Sequence, residues 1–112
     1  FDLSRYAESA QWFGMALDIT PEDSATRTAM ATALYASGRV DDAIEEFQNA
    51  LESDTTYILA LHNLALAYLD ARNDVVSAQT ALRQIELIDP SYSGLASIRE
   101  RMAAAGTNLV SP

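Results

Sequence analysis

Two patterns in this chain recur after thirty-four residues. Met30-Ala31-x-x-Leu34 returns as Leu64-Ala65-x-x-Tyr68, and Phe13-x-x-Ala16-Leu17 returns as Phe47-x-x-Ala50-Leu51. A fixed period of that size restricts the fold sharply. Each unit is too small to bury its own apolar face, so neighbouring units must stack to hide it. The repetition points to a binding scaffold and leaves the partner unnamed.

Composition agrees with a helical stack. At 112 residues the chain allows one modest domain, burying roughly two-thirds of its unfolded surface. The hydrophobic share of 49% supports a core and argues against disorder. Gly and Pro are few and Ala is abundant, which favours helix. Cysteine is absent, so disulfides, thiolate catalysis and Cys-ligated metals are excluded, and the redox compartment is left open. No apolar run approaches the ~18 residues of a membrane span. The expectation is a soluble domain, with the cytoplasm as the favoured compartment. No basic-then-apolar leader is visible, although the abrupt start leaves room for one upstream.

Net charge is −9, and all seven basic residues are Arg. Such a surface repels phosphate backbones and anionic lipid, which disfavours nucleic acid and membrane surfaces as partners. A neutral or basic peptide fits better. Acidity that serves only solubility is the competing explanation.

Helical spacing predicts a first helix over about 4–18, with Tyr6, Ala10, Phe13, Ala16 and Leu17 apolar. Thr20-Pro21-Glu22-Asp23 reads as the next start, with Thr20 as cap and Pro21 in the first turn. That second helix ends near Ser37, and Gly38 is its left-handed terminator. A third is expected over 40–53, opened by Asp41 and Asp42. Asp54-Thr55-Thr56 caps a fourth over 57–71. The fifth covers 75–88 and stops before Asp89-Pro90, because the residue before Pro resists helical geometry. A weaker sixth spans 91–105 and ends at Gly106, with Thr107 to Pro112 a frayed tail.

These residues resemble the tetratricopeptide repeat, a helix–turn–helix unit of about 34 residues. One complete repeat covers 24–57: Met30-Ala31 and Leu34, the turn Gly38, then Ala43-x-x-x-Phe47 and Ala50. Another covers 58–92: Leu61, Leu64-Ala65 and Tyr68, then Ala78-x-x-x-Leu82 and Pro90. Residues 1–23 match a second helix alone, through Tyr6, Ser9, Phe13, Ala16 and Pro21. Residues 93–106 form a capping helix. The sequence departs from the family at Thr55, in place of a closing Pro, and at Arg27, where a large apolar residue is usual. The second repeat also gains a residue near Asn73 and carries Arg72 instead of the turn Gly. The resemblance implies an all-α, right-handed superhelical stack of antiparallel helix pairs, about two and a half repeats long plus the C-terminal cap.

The resemblance also implies that the first helix of each repeat lines a concave groove for an extended peptide or a helix. At about 100° per residue, Leu61, Leu64, Ala65 and Tyr68 form the stripe that packs inside the second repeat. Leu59, His62, Asn63, Leu66 and Leu69 lie away from that stripe. The candidate ligand surface is therefore Tyr35, Leu59, His62, Asn63, Leu66 and Leu69, with Thr28 and Thr32 at its edge. Inter-repeat core is the competing reading for Leu66 and Leu69. One subfamily clamps the C-terminal carboxylate of heat-shock chaperones with Lys, Arg and Asn. Asn63 falls at such an Asn, but no basic residue stands beside it, and a clamp is not expected.

No catalytic or metal motif emerges, and no cofactor is implied. His62 is the single histidine, and its best acid, Asp70, lies about two turns away. Asp41, Asp42, Glu45 and Glu46 sit at a helix start, where dipole and solvation explain them without a cation. The first helix carries a face that packs on a preceding partner in such stacks: Tyr6, Phe13 and Leu17, with Trp12 beside it. Either upstream repeats are missing or that face meets a second copy of the chain, and self-association through it is the expectation. The leading role is a non-catalytic protein-interaction module, part of a longer protein. The alternatives are a structural or self-association element, and an accessory domain of an enzyme.

Overall fold

The computed structural model describes residues 3–20 and 22–110, the last five of them by backbone alone. Six helices follow one another: α1 (Leu3–Ile19), α2 (Ser24–Ala36), α3 (Val40–Ser53), α4 (Ile58–Ala71), α5 (Val75–Ile88) and α6 (Leu95–Val110). No strand occurs among the described residues. The chain divides into two compact units, residues 1–60 and 61–112, with the boundary just inside α4.

In the first unit α2 packs against both α1 and α3. Ala31 and Ala43 are fully buried, and Phe47 beside them is almost so. Small residues let the helix axes approach while the aromatic ring fills what remains. Burying a ring such as Phe47 contributes roughly 1.5–3 kcal/mol. Ser24 Oγ donates to the carbonyl of Ala50 at 3.0 Å, tying the start of α2 to the end of α3. Arg27 enters the same helix pair from α2 and reaches both carboxylate oxygens of Glu46 at 3.2 Å. Asn49 Nδ2 donates to Glu46 as well, at 2.6 Å. An ion pair thus occupies a place where an apolar residue is usual.

The second unit repeats the scheme. Ala65 and Ala78 are fully buried, and Leu61, Leu64, Leu82 and Ile85 complete the core around them. Leu95 and Ile98 of α6 are buried too, and α6 packs against α5. Two ion pairs reach α6, Arg99 with Glu86 of α5 at 2.6 Å and Arg101 with Asp70 of α4.

The two inter-helix turns show how an extra residue is absorbed. After α2, Gly38 adopts φ +92°, which a residue without Cβ tolerates. Gly38 N–H bonds to Tyr35 O at 3.0 Å and Arg39 N–H to Leu34 O at 2.9 Å, the paired closure of a left-handed helix end. After α4, Asn73 takes the positive angle instead, φ +51°, a region Asn visits more readily than most residues. Asp74 N–H then bonds to Tyr68 O at 2.8 Å. Tyr68 lies thirty-four residues beyond Leu34, but Asp74 lies thirty-five beyond Arg39. The same carbonyl is satisfied across a loop one residue longer.

Helix starts differ from the sequence expectation in two places. Thr20 does not cap α2; its hydroxyl donates back to Ala16 O at 3.3 Å and finishes α1. Asp23 is the cap instead, accepting from Thr26 N–H at 3.1 Å and from the Thr26 hydroxyl at 2.7 Å. Pro21 lies outside the described residues. Asp74 caps α5 in the same manner through Ser77. Asp54 belongs to the end of α3, where it accepts from Thr56 N–H and hydroxyl at 3.0 and 2.8 Å. Asp89 makes the same turn with Ser91 after α5. The acidic side chains win because an ionised carboxylate is the stronger acceptor. The last helix begins at Leu95 and runs through Gly106 to Val110. Glycine in a helix interior costs only about 1 kcal/mol against Ala, too little to end a helix by itself. Of the expected tail, Ser111 and Pro112 lie outside the described residues.

Candidate functional site

The proposed ligand residues come from α2 and α4, and their side chains differ in availability. On α2, Thr28 is only 1% exposed, and its hydroxyl has no hydrogen-bond partner among the described residues. Thr32 is exposed, yet its hydroxyl donates to the Thr28 carbonyl at 3.0 Å, so it serves its own helix. Tyr35 is half-buried. On α4, Leu59 is 49% exposed, and His62, Asn63 and Leu66 are half-buried. Helical spacing sets these four within about 100° of one another around the axis. Leu69 is buried. Thr28 and Leu69 therefore belong to the packing rather than to an accessible surface. Both sit at the margins of the predicted face, where a small rotation about the helix axis decides burial.

His62 is held in place by a residue the sequence reading left out. The Tyr92 hydroxyl lies 2.7 Å from His62 Nδ1. The two rings meet edge to face, with centroids 5.6 Å apart and planes at 87°. Burial lowers the His62 pKa below its ordinary 6.5, so near neutrality the ring is uncharged and, with Nδ1 unprotonated, accepts from the phenol. Gly94 makes room for the pair: a Cβ there would stand 2.5 Å from the Tyr92 ring and 2.7 Å from the His62 ring. A signal for Tyr92 was available, since Asp54-x-x-Tyr57 recurs as Asp89-x-x-Tyr92. Asp70, about two turns further along the same helix, pairs with Arg101 instead. Among the described residues no group of three or more His, Asp or Glu side chains is placed to hold a metal.

The predicted self-association residues divide between two sides of α1. Tyr6 and Phe13 are half-buried and Leu17 is buried, beside the buried Ala10. Their spacing of four, three and four residues makes them the stripe that faces α2, so Leu17 is removed from any contact with a second copy. Trp12 lies on the opposite side, 64% exposed, with Met15 at 58% and Ile19 at 83%. The open apolar stripe of α1 is Trp12, Met15 and Ile19.

No helix among the described residues is long and apolar enough to cross a membrane.

The comparisons with known proteins bear on the same elements. A family model described as "TPR repeat" matches residues 31–71, from within α2 to the end of α4. The "TPR repeat-containing thioredoxin TTL4" of Arabidopsis thaliana is 39% identical over 64 residues. That stretch is 57% of this chain and 9% of the relative, so the likeness covers a small part of a much longer protein. TPR repeats generally mediate protein–protein interaction, and the family is typically non-catalytic. The family match over residues 31–71, the thirty-four-residue period and the all-helical architecture together support a tetratricopeptide-repeat assignment.

Proposed function

We propose that the chain is a non-catalytic protein-interaction module, with a ligand face on α2 and another on α4, each suited to a peptide or helix of a partner protein. The observation that carries this reading is the face of α4. Leu59 and Leu66 keep apolar surface accessible there, and His62 and Asn63 place polar groups between them. Apolar contact supplies affinity, and the carboxamide of Asn63 offers a donor and an acceptor to a peptide backbone. The net charge of −9 favours a neutral or basic segment over an acidic one.

Leu66→Ala and Asn63→Ala test it. The immobilised domain captures a partner from an extract, and each variant is compared with the parent while circular dichroism follows folding. Lost capture with an unchanged thermal midpoint supports the ligand face. A fallen midpoint with capture in proportion to folded protein assigns Leu66 to the core.

A second reading draws on Trp12, Met15 and Ile19, whose exposure on one side of α1 suits a structural or self-association element. Sedimentation of Trp12→Ser beside the parent decides it, and a monomer in both removes it. The relative's name joins repeats to a thioredoxin, which keeps an accessory role beside an enzyme among the alternatives.

A further inference from the structure

An open cleft of about 350 Å³ lies in the first unit, where α1, α2 and α3 meet. That volume is at the small end of the ~300–1,000 Å³ of ligand clefts. Ala7 and Ala10 of α1 face Met30 and Leu34 of α2 across its floor, and the short alanine side chains leave the space open. Its rim is polar: Gln11 on one side, with Arg39, Asp42, Glu45 and Glu46 on the other. Met30 and Leu34 lie roughly 100–160° around α2 from Thr28, Thr32 and Tyr35, counting about 100° per residue. The cleft is thus distinct from the α2 ligand face proposed above, and it stands whether or not that face binds anything.

The charges of the rim leave one position uncompensated. Arg39 pairs with Asp42 at 2.7 Å. Glu46 is taken up by Arg27 and Asn49, neither of which lines the cleft. Glu45 is exposed and makes no ion pair among the described residues. An apolar floor beneath a single uncompensated carboxylate complements a chain of methylenes ending in one positive charge. Arg and Lys side chains have that form, with an aliphatic stem that packs and a head that stays polar. From this complementarity we infer that the α1–α2–α3 cleft is a socket for one long basic side chain of a partner peptide. The stem lies against Ala7, Ala10, Met30 and Leu34, and the cation meets Glu45.

The test uses the full chain and two probes, the acetylated and amidated pentapeptides Gly-Ser-Arg-Ser-Gly and Gly-Ser-Lys-Ser-Gly. Methyl resonances of Ala7, Ala10, Met30 and Leu34 are followed by NMR as peptide is added. At least one probe shifts them to saturation, while its neutral counterpart, with citrulline for Arg or norleucine for Lys, does not. Glu45→Gln weakens binding about fivefold, the scale of one accessible ion pair. Glu52→Gln, which removes an equal charge elsewhere on α3, leaves it unchanged, and Ala7→Met abolishes it by filling the floor. Equal losses in the two Gln variants, equal binding of the neutral peptides, or no cleft methyl shift at about 10 mM peptide, well above the ~1 mM limit of weak recognition, each overturn the inference.

Discussion

Thr28 is the residue whose surroundings and chemistry disagree most. It lies thirty-four residues before His62, so the two hold equivalent places in successive repeats. His62 finds the phenol of Tyr92, whereas the Thr28 hydroxyl is buried with no hydrogen-bond partner among the described residues. A buried hydroxyl left in that state costs on the order of 1–3 kcal/mol. Valine has nearly the same shape without the polar atom. Thr28→Val is therefore expected to stabilise the protein by about 1 kcal/mol, read as a higher midpoint of urea unfolding at an unchanged slope. A lower midpoint would mean that the hydroxyl is engaged in solution. The sequence showed a Thr on a helix and could not reveal this, because its own period placed Thr28 at a margin between core and surface.

At the scale of the elements, the pairing of His62 with Tyr92 joins α4 to the turn that leads into α6. It also gives this junction a pH dependence whose sign follows from burial. The folded pKa of His62 lies below the ordinary 6.5, so the unfolded chain takes up the proton first as pH falls. Stability is then fully present above about 6.5 and is lost as pH drops through the folded value. Asp23 and Asp74 do not confuse that window. Hydrogen bonds from Thr26 and Ser77 hold both carboxyls below their ordinary 3.8, so the stability they add is lost only in stronger acid. Between about pH 7.5 and 5 the melting temperature of the parent should fall, and that of His62→Gln should fall less. Parallel curves would place the titration elsewhere. Most elements were legible beforehand: the expected spans 40–53 and 75–88 coincide with α3 and α5. The errors cluster at ends, where Asp23 outcompeted Thr20 as cap and Gly106 failed to stop α6. Periodicity reports which face is buried, whereas an end depends on which of several nearby acceptors takes the free N–H groups.

For the molecule as a whole, sixteen acidic side chains face seven arginines, and that imbalance acts on stability as well as on partner choice. Mutual repulsion among surface carboxylates favours the expanded chain. Against it stand a few ion pairs, of which Arg39–Asp42 and Arg99–Glu86 are substantially exposed, each worth about 0–1 kcal/mol. The candidate site was less legible than the fold for a related reason. Charge and period named α2 and α4 correctly as helices, but pairings such as Arg27 with Glu46 and Asp70 with Arg101 join residues distant in sequence. No local pattern announces them, and they decide which charges are left to meet a partner. Salt separates the two electrostatic contributions. Raising NaCl shrinks the screening length from about 30 Å at 0.01 M to about 3 Å at 1 M. Long-range repulsion is removed over that range, while contacts near 3 Å are weakened only in part. The melting temperature should therefore rise with NaCl, and equally with KCl. A fall would show that the short pairs outweigh the net charge, and the acidic surface would then serve recognition without a cost in stability.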